Sequence, residues 1–179
     1  FNGKDFVTYS HDEGFPYYPQ VGSLAIGEDN LIALGVYGGG LSLFKDGKFT
    51  NYNTSNGLAD NRIVNIAFDS KNTIWMSIDG GGVISFNGEN FKQYTVDDGL
   101  ASYENYSIHV DDKDFVWVGT FGAGVAVYDG ETWGSIDTRD GLLNNTISGI
   151  WNVGNTYWFA NEIGGIAQYR PSINSGFVK

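Results

Sequence analysis

Two acidic and two aromatic residues, Asp79, Glu162, Tyr37 and Phe121, stand at matching places along a chain of 179 residues, each beside a glycine-rich turn. Carboxylates bond to hydroxyls, and aromatic rings stack on the apolar face of a sugar ring, so this set suits a polyhydroxylated ligand. A second matched set, Tyr18, Asn61, Tyr103 and Asn145, lies in the connections between units, with Arg62 and Glu104 adjacent. Positions that serve packing keep one residue type, whereas positions that carry a site vary around a constant frame. All eight residues are therefore the expected ligand-binding residues. Drift on a solvated surface produces the same variety, so the set rests on its shared location as much as on its chemistry.

Other chemistries fare less well. Asp79 and Glu162 fall in alternate units, and across a closed four-unit ring they would face each other. A facing carboxylate pair is the minimum for glycoside hydrolysis, which makes a glycan-active hydrolase or lyase the alternative function. Neither His11 nor His109 lies in a nucleophile motif, so Ser-His-Asp chemistry has no support. No catalytic residue is assigned. Asp111, Asp112 and Asp114 offer oxygens for calcium, but aspartate recurs at this turn (Asp69, Asp111), where it ties backbone N–H groups. Triplets such as Gly38-Gly39-Gly40 are not followed by a helix, so they are not phosphate cradles. Trp75, Trp117 and Trp158 recur at one strand position and read as core before sugar platforms. No metal and no cofactor is expected.

The elements that place these residues are copies of one unit. Gly38–Leu58, Gly80–Leu100 and Gly122–Leu142 align without gaps in steps of 42 residues. A fourth copy is split: Gly164–Tyr169 matches the start of the segment, and Phe1–Phe15 matches its continuation. Each unit reads as four short strands, for example Ile63–Phe68, Thr73–Ser77, Val83–Phe86 and Phe91–Thr95. They are rich in β-branched and aromatic residues and divided by Gly and Asn-Gly turns. No window sustains helical periodicity. Four antiparallel strands in about 40 residues is the size of a propeller blade.

The expected fold is thus an all-β propeller filling residues 1–179 as one domain. Blade 1 is placed at about 20–53, blade 2 at about 61–95, blade 3 at about 103–137, and blade 4 at about 145–170 plus 4–10. The last blade has three strands of its own, and pairing it with Phe6–Tyr9 would close a four-bladed ring and remove its edges. Two chains joined into an eight-bladed ring, or a piece of a larger propeller, are the other arrangements. A chain opening on Phe1 with neither Met nor signal peptide reads as a processed or excised product.

The repeat carries a resemblance. Asn61–Gly82 has the form N-x-I-x-x-I-x-x-D-x-x-x-x-I-W-x-x-x-x-G-G-G, and Tyr103–Tyr128 carries I-x-V-D-D-K-D-F-V-W-V-G-T-F-G-A-G-V-A-V-Y followed by Asp129-Gly130. This pattern, with its Phe-x-x-Tyr and Asp-Gly-Leu continuation, resembles the two-component regulator propeller repeat. That family forms periplasmic sensor regions of bacterial hybrid histidine kinases, some of which sense carbohydrate breakdown products. The resemblance implies a periplasmic or extracellular ligand-binding sensor module without catalysis, and leaves a structural platform for protein partners as a further alternative. Family sensors usually carry more blades, and the chain contains no kinase, so it would be at most the ligand-reading part.

Composition narrows the partners. A formal charge of −11 repels phosphate backbones and anionic lipid, so nucleic acid is not an expected partner. No apolar run is long enough to insert in a membrane as a helix. Cysteine is absent, which excludes disulfides and thiolate metal sites. A small molecule or saccharide, and a second copy of the chain, remain as partners.

Overall fold

Glycine, asparagine and aspartate at the turns dictate where each strand must stop. In the computed structural model, which describes residues 5–17 and 20–171, fifteen strands are cut at these turns. Blade 1 contains β1 (Val21–Ile26), β2 (Ile32–Val36), β3 (Gly40–Lys45) and β4 (Lys48–Tyr52). Blade 2 contains β5 (Ile63–Phe68), β6 (Ile74–Ile78), β7 (Gly82–Phe86) and β8 (Phe91–Tyr94). Blade 3 contains β9 (Asn105–Val110), β10 (Val116–Thr120), β11 (Val125–Tyr128) and β12 (Trp133–Ile136). Blade 4 contains β13 (Ile147–Val153), β14 (Thr156–Asn161) and β15 (Gly165–Tyr169). Each blade is an antiparallel meander in chain order, and the only helical turns among the described residues are four three-residue 3-10 segments.

The frame is set at the turns. Gly40, Gly82 and Gly124 have φ of 89°, 80° and 83°, and a Cβ at each would meet the carbonyl oxygen of Tyr52, Tyr94 or Ile136 at 2.1–2.3 Å. Only glycine combines that φ with that approach, so the last glycine of the triplet recurs for steric reasons. The Asp-Gly-Leu signal has an equally local cause. Thr95 and Asp98, and likewise Asp137 and Asp140, form reciprocal capping boxes around a single 3-10 turn, which stops at a left-handed glycine. The following Leu58, Leu100 or Leu142 is buried between blades.

Blades stack through alternating side chains. Between blades 1 and 2 lie Leu41, Leu58, Ile66, Ile74, Met76 and Phe86. Between blades 2 and 3, Trp75 and Tyr94 meet Ile108, Val116, Val118 and Tyr128. Between blades 3 and 4, Trp117, Val125 and Ile136 meet Ile150, Tyr157 and Phe159. Trp117 and Tyr157 stack with centroids 4.0 Å apart. Trp75 and Trp117 are core, as their strand position implies. Trp158 is only half-buried, because its side of blade 4 has no neighbour.

The innermost strands β1, β5, β9 and β13 lie side by side in that order, and β13 does not lie along β1. The described chain is therefore an open arc of four blades. The expected closure by Phe6–Tyr9 does not form: this segment is not a strand, and blade 4 has three strands among the described residues. Tyr9 packs instead on Phe44 and Phe49 of blade 1, at 4.6 and 6.1 Å. It sits there as Tyr52 sits on Phe86 and Phe91 of blade 2, at 4.9 and 5.6 Å. Phe6–Tyr9 thus stands where the last strand of a preceding blade belongs, while β13–β15 are held away by the line of the stack.

Candidate functional site

The two variable sets share one rim of the arc, and backbone hydrogen bonds put them there. The residue before each glycine turn donates its N–H to the carbonyl of the residue just before its own blade's first strand. Tyr37 bonds to Gln20, Asp79 to Arg62, Phe121 to Glu104 and Glu162 to Thr146, at 2.9–3.1 Å. The turn then reaches the next blade. Gly38 and Gly40 donate to the Asn61 carbonyl, Gly82 to that of Tyr103, and Gly124 to that of Asn145. Backbone atoms of Asn61, Tyr103 and Asn145 therefore lock successive blades, which frees their side chains to differ.

Those side chains divide in use. Asn61 accepts from Thr54 N at 2.9 Å, and Asn145 accepts from Thr138 N at 2.9 Å, so both tie the loop behind them. Tyr103 is exposed. Tyr18 lies outside the described residues.

Across blades 1 and 2 the rim carries a polar chain. The Tyr37 hydroxyl donates to Asp79 Oδ2 at 2.6 Å. Arg62 Nη1 lies 3.8 Å from the same oxygen, and Arg62 grips Asp60 through Nη2 at 2.7 Å and Nε at 3.2 Å. The bond to Asp79 pushes the Tyr37 phenol above its ordinary pKa, because ionising it would forfeit the bond and set two negative charges together. The bond from Arg62 holds the Asp60 carboxyl below the usual carboxylate range.

Blade 3 presents a different surface. Phe121 meets Tyr106 edge-on at 5.6 Å, and both rings are exposed. Beside them an open groove of about 450 Å³ lies on blade 3 and its flanking connections, lined by Gly122, Ala123, Asp137, Thr138, Arg139 and Asn145 among others. Arg139 is clamped bidentately on Asp137. Tyr106, Asp137 and Arg139 were not expected at the site. The chain's three arginines are Arg62, Arg139 and Arg170, and placing two of them beside aspartates on one rim was a signal the sequence held.

Glu162 is exposed on blade 4. The arrangement that would set it across a ring axis from Asp79 requires a closed four-bladed ring, and the arc does not form one. Asp79 is instead engaged by Tyr37 and Arg62 from its own side. Among the described residues no cluster of three or more His, Asp or Glu side chains is gathered to hold a metal.

The opposite rim is structural, as the recurring aspartate implies. Asp69 accepts from Lys71 N, Thr73 N and Trp75 Nε1. Asp111 accepts from Lys113 N, Phe115 N, Trp117 Nε1 and the Tyr157 hydroxyl, the last at 2.6 Å. Asp114 reaches back to Ser70 N and Oγ in blade 2, and Asn72 reaches back to Glu28 N in blade 1.

No protein-family profile and no curated protein sequence matches the chain. Solved structures do match in fold. The extracellular domain of the one component system BT4673 of B. thetaiotaomicron aligns with a TM-score of 0.67 at 17% identity over 84% of this chain. That of BT3049, from the same organism, aligns at 0.52 and 20% over 89%. Virginiamycin B lyase from Staphylococcus aureus, in a structure with quinupristin, aligns at 0.63 and 14% over 86%. The chain spans 21% of the BT4673 chain, 28% of the BT3049 chain and 56% of the lyase. At these identities the likeness concerns the fold: an arc of antiparallel, propeller-like blades.

Proposed function

We propose that this chain is an extracytoplasmic, sensor-type propeller segment that binds a small polyhydroxylated ligand, a saccharide, on its glycine-turn rim without transforming it. One observation carries the reading: a fixed donor–acceptor chain (Tyr37, Asp79, Arg62, Asp60) and an exposed aromatic pair (Phe121, Tyr106) share that rim. Saccharide sites combine these elements, with aromatic faces for the C–H surface of the ring and fixed polar groups for its hydroxyls. The two extracellular sensor domains that share the fold support both the sensor role and the location outside the cytoplasm.

Calorimetric titration against a panel of neutral and acidic oligosaccharides tests the proposal. The expected result is binding by at least one glycan that weakens tenfold or more in Asp79→Asn and in Phe121→Ala. Binding that both variants leave unchanged, or no binding across the panel, would overturn it.

A further inference from the structure

We propose that blade 3 carries two adjoining sugar subsites, the Phe121–Tyr106 platform and the groove beside it, which together take a neutral saccharide of at least two units. The proposal rests on the saccharide reading above and narrows it to one blade and one charge class.

The repeat shows what opens the groove. Ser135 holds, on the last strand of blade 3, the position of Asn51 in blade 1 and Gln93 in blade 2. Both longer side chains span the space beside them. Gln93 Nε2 donates to the carbonyl of Gly81 in its own glycine turn at 2.8 Å, and Asn51 Nδ2 donates to the Gly14 carbonyl at 2.9 Å. In blade 3 the place of Gly81 is taken by Ala123, and a side chain that ends at Oγ is too short to copy the glutamine's bond. Ala123 and Ser135 both line the groove of about 450 Å³, which is the space so vacated. That volume falls within the range of about 300–1,000 Å³ typical of small-molecule sites. Phe121 directly precedes Gly122 and Ala123 of the groove wall, so platform and groove adjoin.

Other departures from the repeat gather at the same place. In blades 1 and 2 the glycine turn is tied by main chain, Gly39 N to Val36 O and Gly81 N to Ile78 O. In blade 3 the matching residue is Thr120, fully buried, whose Oγ1 donates to the Gly124 carbonyl at 2.8 Å and accepts from Ala123 N at 3.1 Å. The turn that carries Phe121 is thus braced by a side chain, and a braced turn loses less freedom when a ligand binds. Tyr106 has its own cause. Each first strand is bulged at its second residue, Gly22, Val64, Tyr106 or Ser148, which drops out of the ladder. A bulge re-aims the residue that it frees, and only in blade 3 is that residue aromatic, its ring set against Phe121.

Charge selects the ligand class. Arg139 stands where blades 1 and 2 have Ser55 and Asp97. Its Nε and Nη2 are spent on Asp137, which fixes the guanidinium and leaves Nη1 to donate. The carboxylate it grips offsets its charge, and the whole chain carries −11. The groove therefore offers an oriented donor without a net positive potential. A sugar hydroxyl accepts from such a donor, whereas a uronate or sulfate group would meet Asp137 and the negative field of the chain.

The test is calorimetric titration of the whole chain with neutral gluco-, manno-, xylo- and arabino-saccharides, each as monosaccharide, disaccharide and longer chain, and with uronate oligosaccharides. The parent is expected to bind at least one neutral disaccharide or longer glycan about tenfold or more tightly than its monosaccharide. Ser135→Gln refills the groove as Gln93 does in blade 2, so it should weaken the longer glycan about tenfold or more and the monosaccharide less than about twofold. Arg139→Gln should act in the same way, and because it alters an exposed side chain it decides the matter if Ser135→Gln does not fold. Phe121→Ala should weaken both glycans. A glycan that loses affinity in Phe121→Ala but binds the groove variants as it binds the parent would leave the saccharide reading standing and overturn the groove. Uronates bound in preference to every neutral glycan would also leave that reading standing and overturn the neutral class. No binding by any saccharide would overturn both.

Discussion

The two rims of the arc are built from the same repeat and treat their residues oppositely. On the rim of the β1–β2, β5–β6 and β9–β10 turns, the recurring side chain is the structure: Asp69 and Asp111 each bond a turn and an indole, and Asn72 and Asp114 each staple a blade to the one before. On the glycine-turn rim the locks are backbone to backbone, through carbonyls of Asn61, Tyr103 and Asn145. A lock made by side chains must keep them, and a lock made by main chain leaves them free to vary. The contrast explains how one 42-residue unit can hold a fold at one end and differ from blade to blade at the other.

The sharpest way to break this contrast is Asp111→Ala. It strips the partner from the buried Trp117 indole N–H and the buried Tyr157 hydroxyl at once, and frees two turn N–H groups. Each buried polar group left unpaired costs about 1–3 kcal/mol, so the expected loss is about 3 kcal/mol or more in urea unfolding. Asp69→Ala removes one indole partner and no tyrosine partner, and should cost less. A variant at Asp111 no less stable than the parent would dissolve the distinction between the rims.

The staples are weaker and respond to pH. Ser70 N and Oγ both donate to Asp114, which holds its carboxyl below the usual carboxylate range. A depressed folded-state pKa contributes stability that is present above the ordinary aspartate value and is lost as pH falls through the lowered one. The group is reached by solvent, so the effect should stay at about 1 kcal/mol or below. Asp114→Asn is expected to flatten the acid limb of a stability–pH profile between pH 5 and about 2, with little change at pH 7. An acid limb that keeps its slope would assign it to other carboxylates.

Much of the structural rim was legible in the sequence, because its causes are local. An aspartate two residues before a backbone N–H, or a left-handed glycine after a capping box, acts within a few residues, and Trp75 and Trp117 repeat with their aspartates. The strand limits of blade 2 likewise followed from turn chemistry to within one residue. Closure was not legible. It depends on where blade 4 lies relative to blade 1, which accumulates over three inter-blade joints and is encoded in no single one. The Tyr106–Phe121 pair and the Asp137–Arg139 clamp were missed for a related reason: each joins positions that do not repeat in the other blades.

The smallest effects on stability belong to the glycine-turn rim, and there they are diagnostic. Tyr37→Phe deletes a hydroxyl that bonds Asp79 in solvent, so the unfolding midpoint should not move measurably, while saccharide binding should fall. The same bond can be read without a ligand. Because Asp79 raises the Tyr37 phenol, Asp79→Asn should return one tyrosine to the ordinary range near 10 in an ultraviolet titration, with the other ten unchanged. The folded protein keeps this bond while the phenol is neutral and loses it as pH rises through the raised value. Glu162→Gln, at an exposed position, should change neither the midpoint nor the tyrosine titration. If it lowered stability as Asp111→Ala does, side chains on both rims would hold the fold, and the glycine-turn rim would lose its claim to be the surface left free for a ligand.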